Sequence, residues 1–175
     1  DLFEDVVRAP LLFKHSSLKP QRIDTTVGLV DFAPTILELL EMPPMQDVSG
    51  ISFALMIPDS TQRVSRPVFM QRRIFDEQGI KELFDETGVN VAGPQWAVIA
   101  DGYKLTVAPE ANEESLFNLA VDPGENNDLT VSDKDTLLKM RKVLSEILDS
   151  QTLRVRSTDL SPEVLQNLEQ LGYAK

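Results

Sequence analysis

Two apolar-rich runs, Trp96–Ala100 and Tyr103–Val107, are separated only by Asp101-Gly102. No other feature narrows the fold of this 175-residue chain as much. Asp and Gly accept the left-handed backbone that a two-residue type I′ turn requires, and that turn matches the right-handed twist of paired strands. The segment therefore predicts an antiparallel hairpin. Val68–Phe75 supplies a strand candidate before it, and Ser115–Leu119 another after it. Asp122-Pro123-Gly124-Glu125-Asn126-Asn127 is a turn cluster. Leu137, Met140, Leu144 and Ile147, with Leu148 beside them, repeat at three and four residues and give a helix one apolar face. Ser132 and Asp135 have the spacing of a capping box at its start, and Asp135 can pair with Lys139 on its outer face. The polar stretch Glu77–Thr87, with Ile80, Leu83 and Phe84 at helical spacing, predicts a surface helix. The expectation is a small α+β domain, an antiparallel sheet of three to four strands packed by a helix. Trp96, Tyr103 and Phe117 are assigned to its core rather than to a platform for a sugar.

The first third reads differently. Leu11-Leu12-Phe13 is apolar on consecutive residues, the pattern of a strand covered on both faces in a parallel sheet. Only Val27–Val30 offers a second short candidate nearby. The run is therefore expected to be the last strand of a sheet whose other strands lie elsewhere; a core strand of a small α+β domain is the alternative. Asp31–Leu40 predicts a helix, with Asp31 or Ala33 as N-cap, Pro34 in its first turn and Met42-Pro43-Pro44 stopping it. Asp31 is read as a cap rather than a metal ligand. Ser49–Ile57 predicts a turn and a short helical stretch, and Pro58–Gln62 a boundary. At the other end, Leu153–Thr158 reads as a linker. Ser161, Pro162, Val164, Leu165, Leu168, Leu171 and Gly172 mark a separate terminal helix. The expected domains are 1–60, the end of a catalytic α/β domain; 61–150, the sheet-and-helix subdomain; and 151–175, the linker and terminal helix.

Composition excludes several functions. Lys+Arg number 17 and Asp+Glu 28, a net charge of −11, which makes the chain a poor candidate for gripping a phosphate backbone. No run approaches ~18 uncharged apolar residues, so no membrane span is expected. The absence of cysteine removes disulfides, thiolate zinc sites and a cysteine nucleophile, and a single histidine, His15, removes a His-rich metal site.

Several segments occur in a recognisable order. They are Asp1–Phe13 (DLFEDVVRAPLLF), Thr26–Met42 (TVGLVDFAPTILELLEM), Ser49–Phe53 (SGISF), Asp101–Leu105 (DGYKL), and Ser115–Leu119 (SLFNL) followed by Asp122–Asn126 (DPGEN). Together they resemble the end of the catalytic domain and the following subdomain of the sulfatases of the alkaline-phosphatase superfamily. Two departures stand out: Val48-Ser49 replaces the usual Asp before Gly50, and Gly28 replaces a common Ser. The resemblance implies a parent enzyme that hydrolyses sulfate esters through a formylglycine nucleophile and a calcium ion. Neither group is expected in this segment. Ser65-Arg66-Pro67 copies S-x-P of the formylglycine motif, but Val68-Phe69 follow where Ser-Arg belongs, and no D-H-G or D-N-G ligand motif occurs. The expected catalytic and metal-ligand sets are therefore empty.

His15, Arg72 and Arg73 are the candidates for reaching the parent's substrate cleft, each set against a plain reading as a surface or packing residue. Lys14 and Lys19 are read first as solvated loop charges. The expected partners are the N-terminal catalytic portion of the same protein, a sulfated small molecule or carbohydrate in the parent, and a second copy of the isolated segment. The resemblance leans to an exported compartment: periplasmic, extracellular or lysosomal. The alternative function is a non-catalytic α+β interaction module, or a relative of phosphoester and phosphonate hydrolases.

Overall fold

Asp101 and Gly102 take φ of 51° and 80°, the left-handed pair that a type I′ turn needs. They join two strands of a four-stranded antiparallel meander in the computed structural model, which describes residues 2–14, 19–46, 48–59, 66–72, 77–88 and 93–152. In chain order the elements are α1 (Glu4–Val7), α2 (Phe32–Leu39), β1 (Val68–Gln71), α3 (Glu77–Thr87), β2 (Trp96–Ala100), β3 (Tyr103–Ala108), β4 (Glu113–Asn118) and α4 (Lys134–Thr152). One compact unit spans Asp1–Leu144 and a second Ser145–Lys175. The described part of the second is the closing stretch of α4.

Pairing of Val98 with Leu105, and of Leu105 with Leu116, places these three fully buried residues on one sheet face. Glu114 shares that face by alternation, and Arg141 of α4 forks onto it, with Nε 2.8 Å from Oε1 and Nη2 on Oε2. This ion pair ties α4 to β4, and the helix buries Leu137, Met140 and Leu144. The other face carries Ile99, Lys104 and Phe117 in register. The outer edge of β4 is blunted by the following chain. The Leu116 amide donates to Asp128 Oδ1 at 3.2 Å, and its carbonyl accepts from Leu129 N at 2.8 Å.

The hairpin and α3 fall where the sequence places them; the strand expected at Val68–Phe75 is observed over Val68–Gln71, with residues 73–75 outside the described residues, and the strand expected at Ser115–Leu119 runs over Glu113–Asn118. The cap of α4 is shifted by one residue. Asp133, not Ser132, accepts from the Thr136 amide at 3.1 Å. A carboxylate serves better there, because it answers both the orphan amides and the positive end of the helix dipole. Asp135 and Lys139 form no ion pair among the described residues; the Lys139 charge acts on Asp133 instead.

The first third forms a thinner layer. Phe53, Met56 and Ile57 make a small core on which Phe13, Ile23 and Val27 pack. Phe13 stacks on Phe32 at 6.0 Å and meets Phe53 edge-on at 5.9 Å. Helix α2 ends on a left-handed Glu41 (φ 54°), with Met42 N bonded to Leu37 O, before Pro43-Pro44. The strand expected at Leu11–Phe13 does not form here, since among the described residues no neighbouring strand offers it a ladder. Leu11 and Leu12 are 45% and 91% exposed, so a run written for cover on both faces lacks it. The expected terminal helix after Ser161 lies outside the described residues.

Three carboxyls between β4 and α4 in the chain are held below their ordinary range. Amides of Asn127 and Asn126 act on Asp122. Burial pushes Asp128 up, but the amides of Thr130 and Leu116 outweigh it. The Thr136 amide lowers Asp133. A carboxyl lowered by folding stabilises the fold above its unfolded value, about 3.9, and loses that contribution as pH falls through the folded value. Urea midpoints should therefore fall from about pH 4 downward, and Asp128→Asn should make that fall shallower than in the wild type.

Candidate functional site

Charged residues are rarely fully buried without a partner, and Lys104 is fully buried in the middle of β3. Its Nζ lies 2.9 Å from Glu125 Oε1 and 3.3 Å from Glu4 Oε1. The contact with Glu125 is oblique, so it is an ionic contact rather than a directed hydrogen bond. Glu125 also accepts from the Glu4 amide, at 2.6 Å through Oε2, and so seats the start of α1. The turn cluster delivers Glu125. Asp122 takes the Asn127 amide at 2.8 Å, Glu125 N bonds Asp122 O at 3.2 Å, and Glu125 adopts φ 53°. The start of the chain is thereby joined to two segments 100 and 121 residues further on through one ammonium and two carboxylates.

A second polar centre gathers the first-third motifs. Asp31 is 3% exposed. Its Oδ2 accepts from the Gly28 amide at 2.9 Å and its Oδ1 from the Ile51 amide at 2.8 Å, and Arg66 Nη2 pairs with Oδ1 at 2.5 Å. Arg66 Nη1 also donates to Ser49 O at 3.1 Å. Thr35 Oγ1 donates to Asp31 O at 2.6 Å and accepts from Phe53 N at 3.1 Å. Asp31 is N-cap of α2 by position, but its carboxylate makes no cap bond to that helix; it clamps the 49–53 segment instead. Arg66, of the S-x-P look-alike, is its counterion.

The candidate cleft residues are dispersed. Arg72 follows β1, its amide bonded to Gln95 O at 2.9 Å and its Nη2 to Gly93 O at 3.0 Å, so it clamps the approach to β2. His15 and Arg73 lie outside the described residues, and Lys14 and Lys19 are exposed. Phe117 is buried and Trp96 and Tyr103 half-buried. A cavity of about 100 Å³ between Leu2-Phe3 and the sheet, lined also by Gln95, Thr106 and Phe117, is far below the ~300 Å³ of ordinary ligand pockets. Calcium takes six to eight oxygens. Among the described residues no three acidic or histidine side chains gather to hold a metal. The carboxylate pair, half-buried Glu4 and buried Glu125, already holds an ammonium. The residues described here do not fit calcium, and no step is derived through it.

Sequence reasoning missed Lys104, Glu125, Glu4, Thr35 and Arg66 as the residues that organise the chain. A lone lysine inside an apolar strand was the available signal.

The fold is that of sulfatases. A solved 2-O GAG sulfatase superposes with a TM-score of 0.56 at 24% identity, over 77% of this chain and 27% of that one. In sequence, the chain is similar to arylsulfatase K of Gallus gallus, with 26% identity over 85% of the chain and 27% of the relative. It is also similar to the Delta 4,5-hexuronate-2-O-sulfatase of Bacteroides thetaiotaomicron, with 27% identity over 82% and 27%. The chain thus spans just over a quarter of the length of the curated relatives it matches. No family model matches it. These similarities bear out the motif-level resemblance.

Lys104→Met should destabilise the fold by about 3–5 kcal/mol in urea titrations at pH 7, because it strands two carboxylates. Gly50 is closed to a side chain, since a Cβ would collide with the Val30 carbonyl and stand 3.1 Å from Pro34 Cγ. Gly28, at φ −88°, has ordinary room, 3.4 Å to Asp31 Oδ2 and 3.5 Å to Arg66 Nη2. Gly50→Ala should therefore cost about 1–3 kcal/mol, and Gly28→Ala should stabilise by about 0.4–1 kcal/mol, in the same titrations.

Proposed function

We propose that this chain is the carboxyl-terminal scaffold of a sulfate-ester hydrolase and carries none of its chemistry. One observation carries the reading. The motif residues that make the chain resemble sulfatases are occupied in holding the fold: Asp31 and Thr35 clamp the 49–53 segment, and Lys104 and Glu125 hold each other and Glu4. In this reading residues 1–60 complete the catalytic domain and 61–150 form a subdomain beside its cleft. Calcium and formylglycine belong to the remainder of the enzyme. His15, Arg72 and Arg73 are the residues proposed to approach substrate.

The substrate class proposed for the whole enzyme is a carbohydrate sulfate ester. Its support is that one of the sequence relatives is a Delta 4,5-hexuronate-2-O-sulfatase. An exported location is part of the same proposal. Among the described residues no helix is long and apolar enough to cross a membrane.

The test is an assay with 4-nitrophenyl sulfate and a 2-O-sulfated unsaturated uronate, with calcium present. The chain alone should release no sulfate. The longer protein encoded with it should desulfate the uronate and carry C/S-x-P-S-R upstream. Turnover by the chain alone, or a gene without that motif, would contradict the proposal.

A further inference from the structure

The cavity of about 100 Å³ between Leu2-Phe3 and the sheet has an unbalanced lining. Gln95 lines it, and Gln95 Oε1 is buried with no hydrogen-bond partner among the described residues. Buried amide oxygens are nearly always paired, because one left bare has given up its water without a replacement. The cavity therefore has a place for a donor. Its floor is the sheet face that carries Lys104. Thr106 lies on that face two residues along β3, and Phe117 stands opposite Lys104 in the register.

Charge on this face is one-sided. Beside the cavity one ammonium, Lys104, faces two carboxylates, Glu4 and Glu125. Exposed Glu113, opposite Ala108 in the register, lines the cavity and has no ion pair among the described residues. Glu114 lines it too but is taken by Arg141. Among the described residues no lysine or arginine lines it. Leu2, Phe3 and Phe117 give it apolar and aromatic walls, which suit an aliphatic stem and a nearby cation. An engineered cavity of about 150 Å³ takes benzene, so this one has room for a body of roughly three to five heavy atoms. We propose that the cavity binds a small primary alkylammonium. Its N–H is donated to Gln95 Oε1, its stem lies against Leu2 and Phe117, and its charge is answered by Glu113 and the carboxylate excess beside Lys104. A sulfate would be repelled there. The site uses none of His15, Arg72 and Arg73, so it stands apart from the sulfatase reading.

The test titrates the isotope-labelled chain with n-propylammonium chloride at constant ionic strength and follows amide resonances. Two controls separate donor from charge: 1-propanol donates without charge, and tetramethylammonium is charged without an N–H. Propylammonium should shift the Gln95 side-chain amide and the Thr106 and Phe117 backbone amides saturably, and should bind at least about tenfold more tightly than either control. Gln95→Met removes the acceptor at similar volume; it should weaken binding at least about tenfold and should not lower the urea midpoint, since the lost atom is unpaired. Glu113→Gln, at an exposed position, should weaken binding several-fold with the fold untouched. Shifts that do not saturate by about 100 mM overturn the proposal, as does unchanged binding by either variant. Equal binding of 1-propanol overturns it in favour of a site filled by water or any hydroxyl. Equal binding of tetramethylammonium overturns it in favour of attraction to the acidic surface alone.

Discussion

A lysine in the centre of a sheet is tolerable only where its charge is answered, and the architecture follows from how Lys104 is answered. Two carboxylates reach it, one from the first residues of the chain and one from the turn after β4. Replacing such a cluster by apolar groups is often harmless, whereas removing one member is costly. The centre therefore acts less as a reservoir of stability than as a device for register. It fixes where α1 begins, because Glu125 also accepts the Glu4 amide. The 122–127 turn that presents Glu125 to the lysine carries it in a left-handed conformation, at φ 53°.

The Asp31 centre does the corresponding work in the other layer. One carboxylate receives the backbone amides of Gly28 and Ile51 and an arginine from beyond the 49–53 segment. Gly50 lets that segment close upon the Val30 carbonyl. The substitution of Gly at position 28, a departure from the sulfatase-like pattern, is neutral to this geometry, since the position has room for a side chain. Together the two centres explain why the recognisable motifs contain acids, a lysine and a threonine without forming an active site.

The sheet and its helices were legible because their signals are local. Asp101-Gly102 dictates a turn, alternation dictates two faces, and the repeat from Leu137 to Leu144 dictates a covered helix. The candidate site was legible only as motifs. Nothing local in the sequence says that Lys104 meets Glu4, since a hundred residues separate them and the pairing is made by folding. The cap at Asp133 rather than Ser132 was a choice between two competent neighbours, settled by charge at the helix end. The strand expected at Leu11–Phe13 was a correct reading of composition but not of pairing, because a ladder needs a neighbour that the described residues do not provide. Asp31, expected as a cap, turned out to be a clamp because its partners, Ile51 and Arg66, lie far along the chain.

If the Lys104 centre couples the chain's opening segment to the sheet, Glu4 and Lys104 must be energetically dependent on one another. A double-mutant cycle of Glu4→Gln and Lys104→Met, read by urea titration, measures that dependence directly. The account predicts a departure from additivity of about 1–3 kcal/mol; additivity within about 0.5 kcal/mol would contradict it.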